Sequence, residues 1–283
     1  MSYLRTAINP IAAGLNGLAR ATLLPLIGRT VPRDGVTVHC DLAYGALSRN
    51  RLDLYVPEGL DAPAPVLVFF YGGSWQSGSK DIYDPFGRLF ARAGVVTAVA
   101  DYRLYPEARY PAFLEDGAEA LAFLHRRVSD YGGDPGKLFV AGHSAGAYIA
   151  VMLAANDKYL KAAGGDTSWI RGAIGLAGPY DFLPLYETAM IDIFGGAREM
   201  ATQPIKYAAN PAPPMLLAHG LADKTVGPGN SRRMAERLLG AGNKVELKGY
   251  RGIGHIAIML SLLPPLRKRT TLYADMLRFL GVG

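Results

Sequence analysis

The chain has 283 residues, a hydrophobic share of 50%, a charged share of 19% and a formal net charge of +6. That is apolar material enough for a buried core, too little charge for a disordered chain, and a length that suits one large domain. A single cysteine, Cys40, excludes an internal disulfide, and basic residues scattered along the chain carry no nucleic-acid signature. Cys40 sits in a strand-like run and reads as a small buried hydrophobe; the one basic cluster, Arg267-Lys268-Arg269, reads as a solvated face at the start of the last helix.

Residues 1–35 read as an N-terminal arm. The segment Ile8 to Ile27 is mostly apolar, but Asn9, Pro10, Asn16 and Pro25 interrupt it too often for a spanning helix or a secretory signal. The expectation is a retained arm packing near the functional site of a cytoplasmic protein, with a weak membrane-surface contact through the arm as the alternative.

Residues 36–283 read as one α/β domain. Val36 to Tyr44 and Arg51 to Val56 are two early strands paired as a hairpin. From Pro65 the pattern changes to continuous apolar runs, Val66 to Phe70 and Val95 to Ala100, as strands covered on both faces require. Helices are expected at Phe86 to Arg92 and Pro111 to Tyr131. Between the first run and its helix lies Tyr71-Gly72-Gly73-Ser74-Trp75, where paired glycines after a strand let backbone N-H groups turn inward. Gly73 and Ser74 are the candidate oxyanion donors. Trp75 reads as core packing, with a substrate platform as the alternative.

The strand Lys137 to Ala141 runs into Gly142-His143-Ser144-Ala145-Gly146, a G-x-S-x-G elbow, and then into an apolar helix from Ala147 to Ala155. This order places Ser144 as candidate nucleophile on a tight turn, with the amide of Ala145 as a third oxyanion donor. Strands follow near Gly172 to Ala177, Met215 to His219 and Lys244 to Lys248, with helices at Asn230 to Leu239 and Leu272 to Leu280. The connection 182–214 is long and reads as a small lid.

A serine hydroxyl needs a base and an orienting acid. Of five histidines, His39 lies on a strand, His125 inside a helix and His143 in the elbow facing away, whereas His255 follows the last strand in a glycine-rich loop able to reach Ser144. Asp223 stands just past a parallel strand, at the carboxyl edge where ligands gather in open α/β sheets. Ser144, Asp223 and His255 are therefore the candidate catalytic residues, and His219 a support for the Asp223 loop. No metal or organic cofactor is required.

With these residues in view, the chain resembles the α/β-hydrolases, and within them the carboxylesterases of the hormone-sensitive-lipase-like and kynurenine-formamidase-like groups. The likeness is carried by Tyr71 to Trp75 with Lys80, by Asp101-Tyr102-Arg103-Leu104-Tyr105-Pro106-Glu107 with Pro111 and Asp116, by the elbow, and by Gly178-Pro179-Tyr180-Asp181. It implies a mainly parallel sheet of about eight strands with helices on both faces, and a serine esterase acting on a small-molecule ester, with an arylformamidase or a non-catalytic binding protein as alternatives. It also implies that Arg103, Glu107 and Asp116 form a structural polar network. Where these families usually carry histidine, this chain has Tyr71, whose phenol braces the loop or reaches into the pocket. Tyr71, Trp75 and Tyr180 are the candidate substrate contacts.

Overall fold

The computed structural model describes residues 21–282, so residues 1–20 of the expected arm lie outside the described residues. Within the arm, 21–28 form a helix, α1, with Leu24 buried. A Cβ at Gly28 would collide with the ring of Pro85, which places α1 directly on the start of helix α2 (Asp84–Ala91).

Among the described residues eight strands form one sheet in the order β1-β2-β4-β3-β5-β6-β7-β8. The hairpin of β1 (Val36–Ala43) and β2 (Arg51–Pro57) is antiparallel, and β2 also runs antiparallel to β4 (Val96–Ala100). From there β4, β3 (Ala64–Phe70), β5 (Gly133–His143), β6 (Ile170–Leu176), β7 (Met215–Gly220) and β8 (Val245–Tyr250) pair in parallel.

The unbroken apolar runs of β3 and β4 have the reason expected of them. Adjacent side chains point to opposite faces, and both faces are covered: Phe69 packs on Phe86 of α2, whereas Phe70 lies beside Gly117 of α3 (Ala112–Arg127). Helix α9 (Leu272–Leu280) joins α2 through the Phe90 and Tyr273 rings, and α4 (Ala145–Ala155) lies with α3 and α5 (Lys158–Ala162). Every residue of α4 is buried, so its apolar character runs all round rather than along one stripe. The connection 182–214 holds α6 (Thr188–Phe194) and two 3₁₀ turns; α7 (Gly229–Gly240) and α8 (Ala257–Leu260) follow β7 and β8.

Three expectations are corrected. Cys40 is exposed, because β1 is an edge strand whose pairing slips between His39 and Leu42 and turns the thiol outward. Arg267-Lys268-Arg269 ends a separate 3₁₀ turn, Pro264–Arg269, ahead of α9. Glu107 is exposed and outside the polar network: Asp116 instead takes the backbone N-H and guanidinium of Arg103 and the amide of Asn50. No helix of the described residues is long and apolar enough to cross a membrane.

Candidate active site

The strand order explains why distant segments meet. Strand β5 lies beside β3, with β4 on the far side of β3, so the chain reverses direction across the sheet between β3 and β5. A crevice opens at the carboxyl ends of two such strands. Phe70 pairs with Gly142 in that register, which sets the loop after β3 against the elbow after β5.

Ser144 adopts φ 56° and ψ −119°, the strained corner that turns a strand directly into a helix. The turn closes only because its flanks lack side chains: a Cβ at Gly142 would strike Gly146, and one at Gly146 would strike the Phe70 carbonyl. The Ser144 amide bonds to the Leu176 carbonyl, which leaves the side chain at the head of α4.

The loops after β7 and β8 are stitched by Leu221 N-H to Tyr250 O and Ala222 N-H to Ile253 O. This brings Asp223 and His255 together. His255 Nδ1 lies 2.7 Å from Asp223 Oδ2, and His255 Nε2 lies 2.9 Å from Ser144 Oγ. The other carboxylate oxygen, Oδ1, accepts the backbone N-H groups of Thr225 and Val226 at 2.8 and 3.0 Å. Burial works to raise the Asp223 pKa, but hydrogen bonds from His219 and His255 outweigh it and hold the carboxyl well below the usual carboxylate range. Asp223 is thus an anion that fixes the proton on Nδ1 and leaves Nε2 to accept from serine.

The remaining histidines are accounted for. His219 donates from Nε2 to Val226 O at 2.9 Å, touches Asp223 at 3.3 Å and accepts from Ser231 at Nδ1, so it braces the acid loop as expected. His39 packs on Tyr131, and His125 stacks on Trp169. His143, set aside in the sequence as facing away, donates from Nε2 to the backbone carbonyl of His255 at 2.9 Å.

Facing Ser144, the backbone of Gly73 (φ 143°), Ser74 (φ 54°) and Trp75 (φ 58°) turns through a run of positive φ. The Gly73 carbonyl accepts from Gln76 and Ser77, while the amides of Gly73, Ser74 and Ala145 bond to no acceptor among the described residues. An oxygen held between them would meet three N-H dipoles.

The side chains of the three candidate substrate contacts are all buried. Tyr71 is fully buried between Tyr83 and Tyr102, and its hydroxyl donates to Asp101 at 2.6 Å while accepting from Arg49 at 2.7 Å, so it braces the loop. Trp75 is 1% exposed within a body of rings formed with Phe113, Tyr148, Phe182 and Phe194. Tyr180 is fully buried against Gly175 and Gly178 because α7 pins its loop: Asn230 Oδ1 accepts the N-H groups of Tyr180 and Asp181, and Arg233 grips the Asp181 carboxylate at 2.6 Å. Neither Asn230 nor Arg233 has a motif to announce it. Among the described residues no group of three or more His, Cys, Asp or Glu side chains is arranged to hold a metal ion.

Residues 52–238 match the profile of the BD-FAE family. The chain is 30% identical over 252 residues to a probable isoprenylcysteine alpha-carbonyl methylesterase of Arabidopsis thaliana, a match covering 81% of this chain and 59% of that relative. It is 32% identical over 222 residues to the esterase LipC of Mycobacterium tuberculosis, covering 69% of this chain and 53% of the other. The chain thus spans little more than half the length of these curated relatives. Among solved structures, esterase 2 of Thermogutta terrifontis in its tabun-phosphoramylated form superposes with a TM-score of 0.69 at 26% identity, covering 89% of this chain and 97% of that one.

Proposed function

The chain belongs to the BD-FAE family and has the α/β-hydrolase fold, and from that premise we propose that it is a serine carboxylesterase that cleaves small-molecule esters through an acyl-enzyme on Ser144. The observation that carries this reading is the continuous path from Ser144 Oγ through His255 to Asp223, at 2.9 and 2.7 Å, opposite three amides that bond to no acceptor among the described residues.

In the proposed reaction His255 Nε2 takes the Ser144 proton as Oγ attacks the ester carbonyl carbon. The carbonyl oxygen becomes an anion held by the Gly73, Ser74 and Ala145 amides, each worth on the order of 3 kcal/mol of barrier. The protonated imidazole then gives its proton to the departing alcohol oxygen as the C-O bond breaks. Water repeats the sequence in reverse: His255 takes its proton, hydroxide adds to the acyl carbon, and Ser144 leaves with the proton restored. Asp223 stays ionised throughout and keeps the Nδ1 proton in place. An exposed, unpaired thiol at Cys40 suits a reducing compartment, and we assign the chain to the cytoplasm.

The test is hydrolysis of p-nitrophenyl acetate, butyrate and octanoate, with N-formylkynurenine alongside, by wild type and Ser144→Ala. Ester turnover lost with Ser144 is the expected result. Turnover of the formamide alone would make the protein an arylformamidase, and a folded protein that turns over nothing and escapes fluorophosphonate labelling would be a binding protein.

A further inference from the structure

We propose that His143, the residue between the first glycine of the elbow and Ser144, is a positioning residue for His255, acting through the backbone carbonyl of the base; as an effect on turnover this rests on the esterase reading above. The imidazole of His255 is held at Nδ1 by Asp223 and meets Ser144 Oγ at Nε2. What fixes its main chain is a separate matter, because the residue stands in a loop directly ahead of α8.

Helix α8 does not supply the restraint. Its donors pass over the His255 carbonyl: Ile258 N-H bonds to Gly254 O, and Met259 and Leu260 N-H both bond to Ile256 O. The carbonyl left over is buried with its residue, and a buried carbonyl without a donor is unfavourable. His143 supplies the donor at 2.9 Å across 112 positions of sequence. Because a carbonyl only accepts, the proton lies on His143 Nε2.

The ring is also placed where a shift of the base would be felt. Its centroid lies 4.8 Å from that of His255, and its other edge borders the oxyanion loop, since a Cβ on Gly72 would come within 3.1 Å of His143 Nδ1. The peptide carbonyl of His143 and the Ser144 Cβ crowd the same point, each at 2.9 Å from such a Cβ. One side chain thus fills the space among nucleophile, oxyanion loop and base. Because His143 is covalently next to Ser144, its hydrogen bond to the His255 carbonyl ties the main chain of the base directly to the elbow, alongside the bonds that stitch the loops after β7 and β8.

The experiment compares wild type with His143→Leu, which keeps bulk but no donor, and His143→Gln, whose amide reaches a position close to that of Nε2. In each, proton NMR follows the low-field Nδ1-H resonance of His255, assigned by its loss in His255→Gln. Steady-state hydrolysis of p-nitrophenyl butyrate is measured on the same samples. The expected result is a shifted or exchange-broadened resonance in His143→Leu, a kcat lower by on the order of 10- to 100-fold with KM within about 2-fold, and substantial recovery of both in His143→Gln. His143→Asn, whose amide is too short to span the gap, gives the same contrast if the leucine variant does not fold. An unchanged resonance and kcat in folded His143→Leu or His143→Asn would overturn the proposal. If wild type hydrolyses no ester but the resonance still responds to position 143, the esterase reading fails and the positioning role stands.

Discussion

Tyr71 gives its phenolic proton to Asp101 across 2.6 Å at the position where the families this chain resembles usually carry histidine. Asp101 also accepts the Lys80 N-H at 2.9 Å, and Arg49 donates to the Tyr71 oxygen. Burial nevertheless pushes the Asp101 pKa above the ordinary carboxylate value, and the Tyr71 hydrogen bond counters it. Tyr71→Phe removes support for the charged form, so the variant is expected to lose about 1–3 kcal/mol of stability at pH 7. A raised folded-state pKa means the penalty for holding the anion grows as pH rises through it. The loss relative to wild type should therefore shrink on acidification, and urea unfolding at pH 4 and pH 7 reads both values. An equal loss at the two pH values would show that the phenol acts through packing alone.

Ser144→Ala is expected to lower kcat for p-nitrophenyl esters by on the order of 10⁴-fold or more. Its melting temperature should stay close to that of wild type, because the 56° φ at this corner is retained and only one hydroxyl is lost. Activity within 10-fold of wild type would remove Ser144 from the reaction.

Asp223→Asn keeps the shape of the side chain but removes the charge that selects the Nδ1-H tautomer, and kcat is expected to fall by about 10⁴-fold. The same group sets an acid limit. Its folded pKa is depressed, so it contributes stability above the unfolded value of about 3.9 and loses that contribution as pH falls further toward the folded value. The stability gap between wild type and Asp223→Asn should be full at pH 6 and begin to close below about pH 4. Denaturant unfolding over that range measures it, and a gap that widens in acid would contradict the assigned anion.

His219→Ala separates the acid loop from the chemistry. It leaves the Val226 carbonyl and Ser231 hydroxyl without the imidazole, at an expected cost of about 1–3 kcal/mol in stability, while kcat falls by no more than about 10-fold. A loss matching that of His255→Ala would exchange the two histidines.

The strands and long helices were legible because buried β3, β4 and the second half of β5 are continuous apolar runs and α9 has a clear apolar stripe; its limits, Leu272 and Leu280, agree with the sequence reading. The relay of Ser144, His255 and Asp223 was legible because each residue follows a strand at the same edge of the sheet. What escaped was side-chain direction. The sequence left Tyr71 between loop brace and pocket and Trp75 between core and substrate platform, and offered Tyr180 as a contact; all three turn into the interior, a choice made by partners 30 or more positions away such as Asp101, Phe113 and Asn230. Cys40 was misplaced for a related reason: period-2 alternation assumes regular pairing, and the slipped register of β1 breaks it.

The buried rings set a limit on the acyl group. Trp75 follows the oxyanion donors directly, Tyr148 lies one turn beyond Ser144, and both pack with Phe182 and Phe194, 2% exposed or less. His255 occupies the side of Ser144 where the alcohol must leave, so the acyl chain extends the other way. An acyl chain that runs toward these rings, already in contact with one another, is expected to be short. Wild type is expected to turn over p-nitrophenyl acetate and butyrate with kcat/KM at least about 10-fold above octanoate, a difference that about 1.4 kcal/mol of steric strain produces. Phe194→Ala removes one ring from the body at a cost of about 3–5 kcal/mol in stability, and the space it opens should move the preferred chain length upward. Octanoate turnover equal to butyrate in wild type, or an unchanged preference in folded Phe194→Ala, would place the acyl chain elsewhere.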